Sequence, residues 1–133
     1  MGDVLMSIDL IYQSMYEALT LSDASLQIWI SITFAIIVAG HVAANRVKRT
    51  AYTLVSCLYA FYSSVLVLRY CSAAFQIIHY QELLLSRNME AWPVPKLVGV
   101  LIGGGTFVLM VGGTITTLWF VRAIRVAAES ESD

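Results

Sequence analysis

Charged residues are scarce in this sequence, and their scarcity argues against a soluble domain. Lys, Arg, Asp and Glu make up 13% of the 133 residues, and hydrophobic residues make up 59%. A typical soluble domain has about 25% charged residues. Cysteine is also rare. Cys57 and Cys71 lie in one apolar run and would be about 21 Å apart along a single helix, so they cannot form a disulfide within the chain.

Residues that carry enzyme chemistry are also few. His41 and His79 are the only histidines, and they lie near opposite ends of the predicted bundle, which excludes a bis-histidine haem site within one chain. The run Gly103–Gly105 lacks the GxxxxGK[ST] pattern of a phosphate-binding loop and is expected to lie at membrane depth. No nucleophile–base arrangement is readable, so we expect a protein that is not an enzyme and has no metal or cofactor. The basic residues flank apolar runs and give no support for a nucleic-acid partner.

What the chain does contain is three long apolar runs, at roughly 26–44, 51–78 and 97–121. A helix crosses the hydrocarbon core of a bilayer with about 20 residues. The sequence therefore predicts an all-α integral membrane protein in which residues 1–133 form a single membrane domain with three transmembrane helices. The second helix is expected to project beyond the membrane to about residue 86. Pro93 and Pro95 then separate it from the third.

The N-terminal segment has its own pattern. Residues 3–20 carry apolar side chains at helical spacing, which predicts an amphipathic helix. We expect it either to lie in the outer membrane interface or to pack on the outer surface of the protein itself. Residues 21–25 predict a break, with Ser22 or Asp23 capping the first transmembrane helix. Trp29 is then expected at the outer membrane interface.

Basic residues are unevenly distributed around the apolar runs, which predicts the orientation. Positively charged loops stay on the cytoplasmic side. The residues concerned follow the first and third runs: Arg46, Lys48, Arg49, Arg122 and Arg125. The N-terminus is therefore expected outside and the tail 122–133 in the cytoplasm, with residues 129–133 disordered. In a bacterium this would be the plasma (inner) membrane. The acidic N-terminal segment does not resemble a cleavable signal peptide.

A charged residue lies within the second apolar run. Arg69 is about 27 Å along the helix from Ala51, in the outer part of the bilayer. It either snorkels to the headgroups or pairs structurally, or it is a buried guanidinium facing other helices. Asp23 and Gln27 are its expected partners within the chain. The candidate intramembrane polar site consists of Arg69, Tyr62, Gln76, Asp23 and Gln27.

Hydroxyl groups also recur along the second run, at Tyr52, Ser56, Tyr59, Ser63 and Tyr70. Such groups either form hydrogen bonds between helices or line a water-filled path. The third run carries small residues that share one helical direction: Gly99, Gly103, Thr106, Gly113 and Thr117. These residues predict a helix-packing face, because small side chains let backbones approach closely. Gly105, Gly112 and Thr116 form a second small face.

These features favour a small membrane subunit that acts by helix packing. Its partners would be the lipid bilayer together with other copies of itself or other membrane proteins, in a homo- or hetero-oligomeric assembly. The alternative is a homo-oligomeric pore or channel, with a holin-like lysis pore as a weaker variant. Holins share the three-span layout but often end in a basic tail, whereas this chain ends in Glu129, Glu131 and Asp133.

Overall fold

The computed structural model describes residues 7–43, 49–89 and 96–130. They form three helices: α1 (Ile8–Ala43), α2 (Arg49–Ser86) and α3 (Lys96–Ser130). The helices contain 36, 38 and 35 residues, so each is more than about 50 Å long at 1.5 Å per residue. All three are long and apolar enough to cross a membrane. The prediction of an all-α protein with three such helices is confirmed.

Large apolar side chains lie mainly on the outside of this bundle. Phe34, Phe61, Phe75 and Trp119 are each about 70% exposed. In water this arrangement would leave a large contiguous apolar surface uncovered. In lipid it costs nothing, because hydrocarbon tails solvate such side chains as well as a protein interior does. The distribution of exposed side chains thus agrees with the apolar composition of the helices.

A separate N-terminal helix is not evident. α1 runs without interruption through residues 21–25, where the sequence analysis expected a break. Ser25 is buried, and its hydroxyl donates a hydrogen bond to the carbonyl oxygen of Leu21 at 2.7 Å. A mid-helix serine is accommodated in this way, and the segment contains neither Gly nor Pro to stop the helix. Residues 3–6 of the predicted amphipathic helix lie outside the described residues.

The first turns of α1 pack against the last turns of α2. Ile11 and Met15 are buried against Leu84, and Tyr80 and Met89 close over this contact. The sequence left two arrangements open for the N-terminal segment, which could lie in the membrane interface or pack on the protein. Its described part packs on the protein.

The end of α2 is fixed by a Schellman motif. Asn88 has φ of 56°, and the amide groups of Asn88 and Met89 donate to the carbonyl oxygens of Leu85 and Leu84 at 3.0 and 3.1 Å. Asn is one of the few residues that adopts this left-handed conformation readily. Met89 packs near Leu84, which is the apolar contact that accompanies the motif. The helix therefore ends at Ser86, where the extension was expected to end.

α3 differs from expectation at its C-terminal end. It continues through Arg122 and Arg125 to Ser130, so the disorder expected from residue 129 is wrong for residues 129 and 130. Residues 126–128 are Val-Ala-Ala, and alanine has the highest intrinsic helix propensity. Residues 131–133 lie outside the described residues, as do the basic loop 44–48 and the proline-containing turn 90–95.

All three helices meet in a central cluster formed by Trp29 of α1, Leu66 and Tyr70 of α2, and Met110 of α3. All four side chains are at least 90% buried. Two of its members, Trp29 and Tyr70, also form hydrogen bonds to α3.

Candidate functional site

Among the described glycines, Gly113 of α3 has the closest neighbour, which is Trp29 of α1. A Cβ atom added to Gly113 would lie 2.6 Å from Cη2 and 2.8 Å from Cζ2 of the Trp29 indole. Real carbon contacts are not this short, so only glycine allows the ring to lie directly on the α3 backbone. Gly113 belongs to the packing face predicted for the third run, and its partner within the chain is an aromatic ring.

The indole of Trp29 is also held by a hydrogen bond. Its Nε1 donates to Oγ1 of Thr114 at 3.0 Å, and Thr114 Oγ1 donates to the carbonyl oxygen of Met110 at 2.7 Å. Trp29 is only 5% exposed, so its indole packs inside the bundle and does not face the surroundings of the protein. The interface preference of tryptophan comes from its polar N–H. Here Thr114 satisfies that group inside the protein.

The other residues of the predicted packing face differ in their surroundings. Thr117 is buried and Thr106 is half-buried. Gly103 is half-buried, and the nearest atom to a Cβ at this position would be Tyr70 Oη at 3.9 Å. Gly99 is exposed, with nothing within 4 Å of such a Cβ. The contacts of this face within the chain therefore run from Gly103 towards the C-terminal end of α3.

The α2 hydroxyls are used in bonds between helices. The hydroxyl groups of Tyr59 and Thr33 lie 2.9 Å apart and share a hydrogen bond between α2 and α1. Tyr70 Oη donates to the carbonyl oxygen of Gly103 at 3.0 Å, which joins α2 to α3. Both tyrosines and Ser63 are buried. The hydroxyls of Tyr59 and Tyr70 therefore join neighbouring helices within the bundle.

At the opposite end of the bundle, a cation–π contact joins α2 and α3. The guanidinium carbon of Arg125 lies 4.7 Å from the centre of the Tyr52 ring. Nearby in the fold, a Cβ added to Gly40 would lie 3.1 Å from Cγ1 of Val121, so α1 and α3 are also close here. Together with the α1–α2 contact at Leu84, these contacts hold the helices at both ends of the bundle.

Arg69 lies on a different surface. Tyr62, Arg69 and Gln76 are all exposed, and their spacing of seven residues aligns them along one side of α2. We call these three residues the outer α2 face. None of them has a hydrogen bond or ion pair with another residue in the described ranges. The face flanks the interhelical contacts of Leu66 and Ala73, which are buried.

The expected partners of Arg69 are engaged with each other. Gln27 Nε2 donates to Oδ2 of Asp23 at 2.8 Å, one turn apart on α1. Both residues are exposed. The structure therefore divides the predicted polar site into two exposed parts, the outer α2 face and the Asp23–Gln27 pair, and it does not bring Arg69 into an ion pair with Asp23.

The second small face of α3 has no close neighbour among the residues that the structure describes. Gly105, Gly112 and Thr116 are exposed, and a Cβ added to either glycine would meet nothing within 4 Å. The chemically reactive side chains are dispersed. Cys57 and Cys71 are free thiols. Among residues 7–43, 49–89 and 96–130, no group of three or more His, Cys, Asp or Glu side chains is placed to hold a metal ion.

Comparison with known proteins adds no further constraint: no protein family, curated protein or solved structure matches this chain. The function of the chain is therefore inferred from the geometry of the bundle and its exposed polar groups.

Proposed function

We propose that this chain is a small, non-enzymatic membrane subunit that packs through its helices into a homo- or hetero-oligomeric membrane assembly. Its N-terminus would lie outside and its C-terminus in the cytoplasm, in the plasma (inner) membrane if the source is bacterial. The observation that carries the proposal is the outer α2 face, where Tyr62, Arg69 and Gln76 are exposed without partners among the described residues.

Lipid is a poor environment for this face. A charged side chain at the centre of a bilayer costs about 2.5–3.5 kcal/mol on insertion scales. Arg69 is about 30 Å along α2 from Arg49, near the outer headgroups, so snorkelling would relieve part of that cost. Tyr62 lies about 10 Å deeper on the same line. A second protein covering the face would supply partners for both side chains.

The buried tyrosine hydroxyls also support a role in assembly. Tyr59 and Tyr70 complete their hydrogen bonds within the chain, so the interior of the bundle needs no ligand or water path. Tyr62, Arg69 and Gln76 lie on the outside of the bundle, where only another molecule can bind them. A pore made of several copies, holin-like or otherwise, would use the same outer α2 face. It has less support, because Leu58 and Val55, on the same side of α2 nearer its N-terminus, are apolar and exposed.

Native mass measurement of the full chain purified in mild detergent tests the proposal. The expected result is a defined oligomer or a complex with a second membrane protein, and Arg69→Leu should shift it towards the monomer. Leu68→Ala is the matched control, because Leu68 is the neighbouring residue and is 69% exposed; it should leave assembly unchanged.

A parent protein that remains monomeric and without partner in detergent and in native-lipid nanodiscs would show that the proposal is wrong. Conductance of purified protein in planar bilayers, with ion selectivity that inverts in Arg69→Glu, would instead favour the pore.

A further inference from the structure

Arg69 and Asp23 lie at the same depth in the bundle. The hydrogen bond between Thr33 and Tyr59 provides a common reference level for α1 and α2. Asp23 precedes Thr33 by ten residues and Arg69 follows Tyr59 by ten residues, so each lies about 15 Å from the reference along its own helix. α1 and α2 are antiparallel, since Ile11 meets Leu84 at their outer ends. Both displacements therefore point the same way.

Asp23 is the described acidic residue closest to that depth. Glu17 lies about 9 Å further along α1, and Glu82 lies about 20 Å beyond Arg69 along α2. One carboxylate oxygen of Asp23 accepts the bond from Gln27. A carboxylate has about four acceptor sites in all, so Asp23 can also receive a guanidinium.

We propose that Arg69 of one copy pairs with Asp23 of a neighbouring copy in a homo-oligomer. A rotation axis parallel to the membrane normal keeps every residue at its own depth, so the acid closest in depth to Arg69 is the one best placed to meet it in the next copy. Asp23 meets that requirement and is exposed on a different helix from Arg69. The outer α2 face of one copy would then dock on the Asp23–Gln27 side of α1 in the next.

The chemistry of the contact favours a second copy over other occupants. Arginine and carboxylate form two parallel N–H···O bonds, which are among the stronger hydrogen bonds in proteins. Both groups are already present on every copy in equal number, and each is exposed on the packed monomer. This inference rests on the proposed function and narrows it to one partner, another copy of the same chain.

Two complementary charge-reversal variants test the pairing between chains. Arg69→Glu places two acids opposite each other in a homo-oligomer, and Asp23→Arg places two guanidinium groups opposite each other. Each variant alone should lose at least about tenfold of its oligomer, as loss of a desolvated charge pair does. Co-expressed with different tags, they should form a mixed oligomer in native mass measurements, because every interface in an alternating assembly again joins opposite charges.

Glu17→Arg is the matched control partner for Arg69→Glu. Glu17 is exposed on α1 and accepts a hydrogen bond from Gln13 at 3.1 Å, as Asp23 does from Gln27. It lies about 9 Å from Asp23 along α1 and about 120° around the helix, on a different side, so it should not restore assembly. A second measurement uses Arg69→Cys in one tagged chain and Asp23→Cys in the other, in a Cys57→Ser/Cys71→Ser background, with a short thiol crosslinker. Crosslinked dimers should form with Asp23→Cys and should be far fewer with Glu17→Cys, whose thiol lies at another depth and on another side of α1.

The outcomes distinguish the pairing between copies from the proposed subunit function. Mixed variants that fail to assemble, or crosslinking that is as strong with Glu17→Cys, would overturn the pairing. A parent that binds a foreign membrane protein without self-association would also overturn the pairing and leave the subunit function intact. A parent without any partner would overturn both.

Discussion

Replacing Gly113 by alanine tests the close packing of Trp29 on α3. The added Cβ would lie 2.6 Å from Cη2 of Trp29, whereas an ordinary carbon–carbon contact is about 3.5 Å or more. The indole or α3 must therefore move by about 1 Å. The ring cannot move freely, since it is 5% exposed and its Nε1 is bonded to Thr114. Overpacking of this kind costs about 1–3 kcal/mol, which lowers the folded-to-unfolded ratio about 5- to 160-fold.

Gly112→Ala provides the matched control for this prediction. Gly112 is the neighbouring residue, and a Cβ there meets nothing within 4 Å. The intrinsic preference of helices for alanine over glycine, about 1 kcal/mol in water, acts on both variants and cancels in their difference. Unfolding by SDS in mixed detergent micelles, followed by far-UV circular dichroism, should show Gly113→Ala to be less stable than Gly112→Ala by about 1–3 kcal/mol.

Trp29→Phe should partly rescue Gly113→Ala, because phenylalanine lacks the second ring that contains Cη2 and Cζ2. Equal stability of Gly113→Ala and Gly112→Ala would refute the reasoning, since the indole could not then lie on the α3 backbone as described.

Further variants test the other contacts and the orientation. Tyr70→Phe should lower the free energy of unfolding by about 0.6 kcal/mol, because it removes the hydrogen bond to Gly103. Tyr62→Phe should leave monomer unfolding unchanged, because Tyr62 has no such bond among the described residues. Asn88→Ala should destabilise the end of α2 by about 1–2 kcal/mol, because Asn88 has φ of 56°, whereas Asn88→Gly should be neutral or stabilising; equal effects would argue against the Schellman motif. Gly103→Leu should disrupt the bundle more than Leu101→Ala, since Leu101 is 65% exposed; equal behaviour would place Gly103 against lipid. Cysteine introduced at Lys48, outside the described residues, should be labelled only from the cytoplasmic side, and labelling from outside would reverse the proposed orientation.

The number and type of helices were predictable because they depend on local composition. Three long runs of apolar residues predict three helices under almost any packing, and the prediction holds. The continuity of α1 was not predictable in the same way. Ser25 resembles a capping residue in the sequence, and only its bond to the carbonyl of Leu21 distinguishes a mid-helix serine from a cap. Asn88, by contrast, is a residue type that commonly ends a helix, but no helix end was predicted from it.

Helical periodicity groups residues on one face of a helix, but it does not say which of them contact a neighbouring helix. Spacing groups Gly99 with Gly113 on one face, but only Gly113 meets another helix closely. A shared direction does not say where along the helix a neighbour lies. Trp29 shows the same limit: its burial depends on Thr114, which is distant in sequence. Composition around Trp29 therefore gave no indication of its hydrogen-bond partner.

Exposure has the opposite meaning in this protein from that in a soluble one. Exposed Phe61 and Phe75 need no explanation in lipid, whereas exposed Arg69 and Tyr62 do. The bundle satisfies Trp29, Tyr59 and Tyr70 internally, so the outer polar groups are not left over from a poorly satisfied interior. They are exposed although similar groups nearby are paired. That contrast is the reason to look for the function of this chain on the outer α2 face and the Asp23–Gln27 pair, and to look for it in assembly.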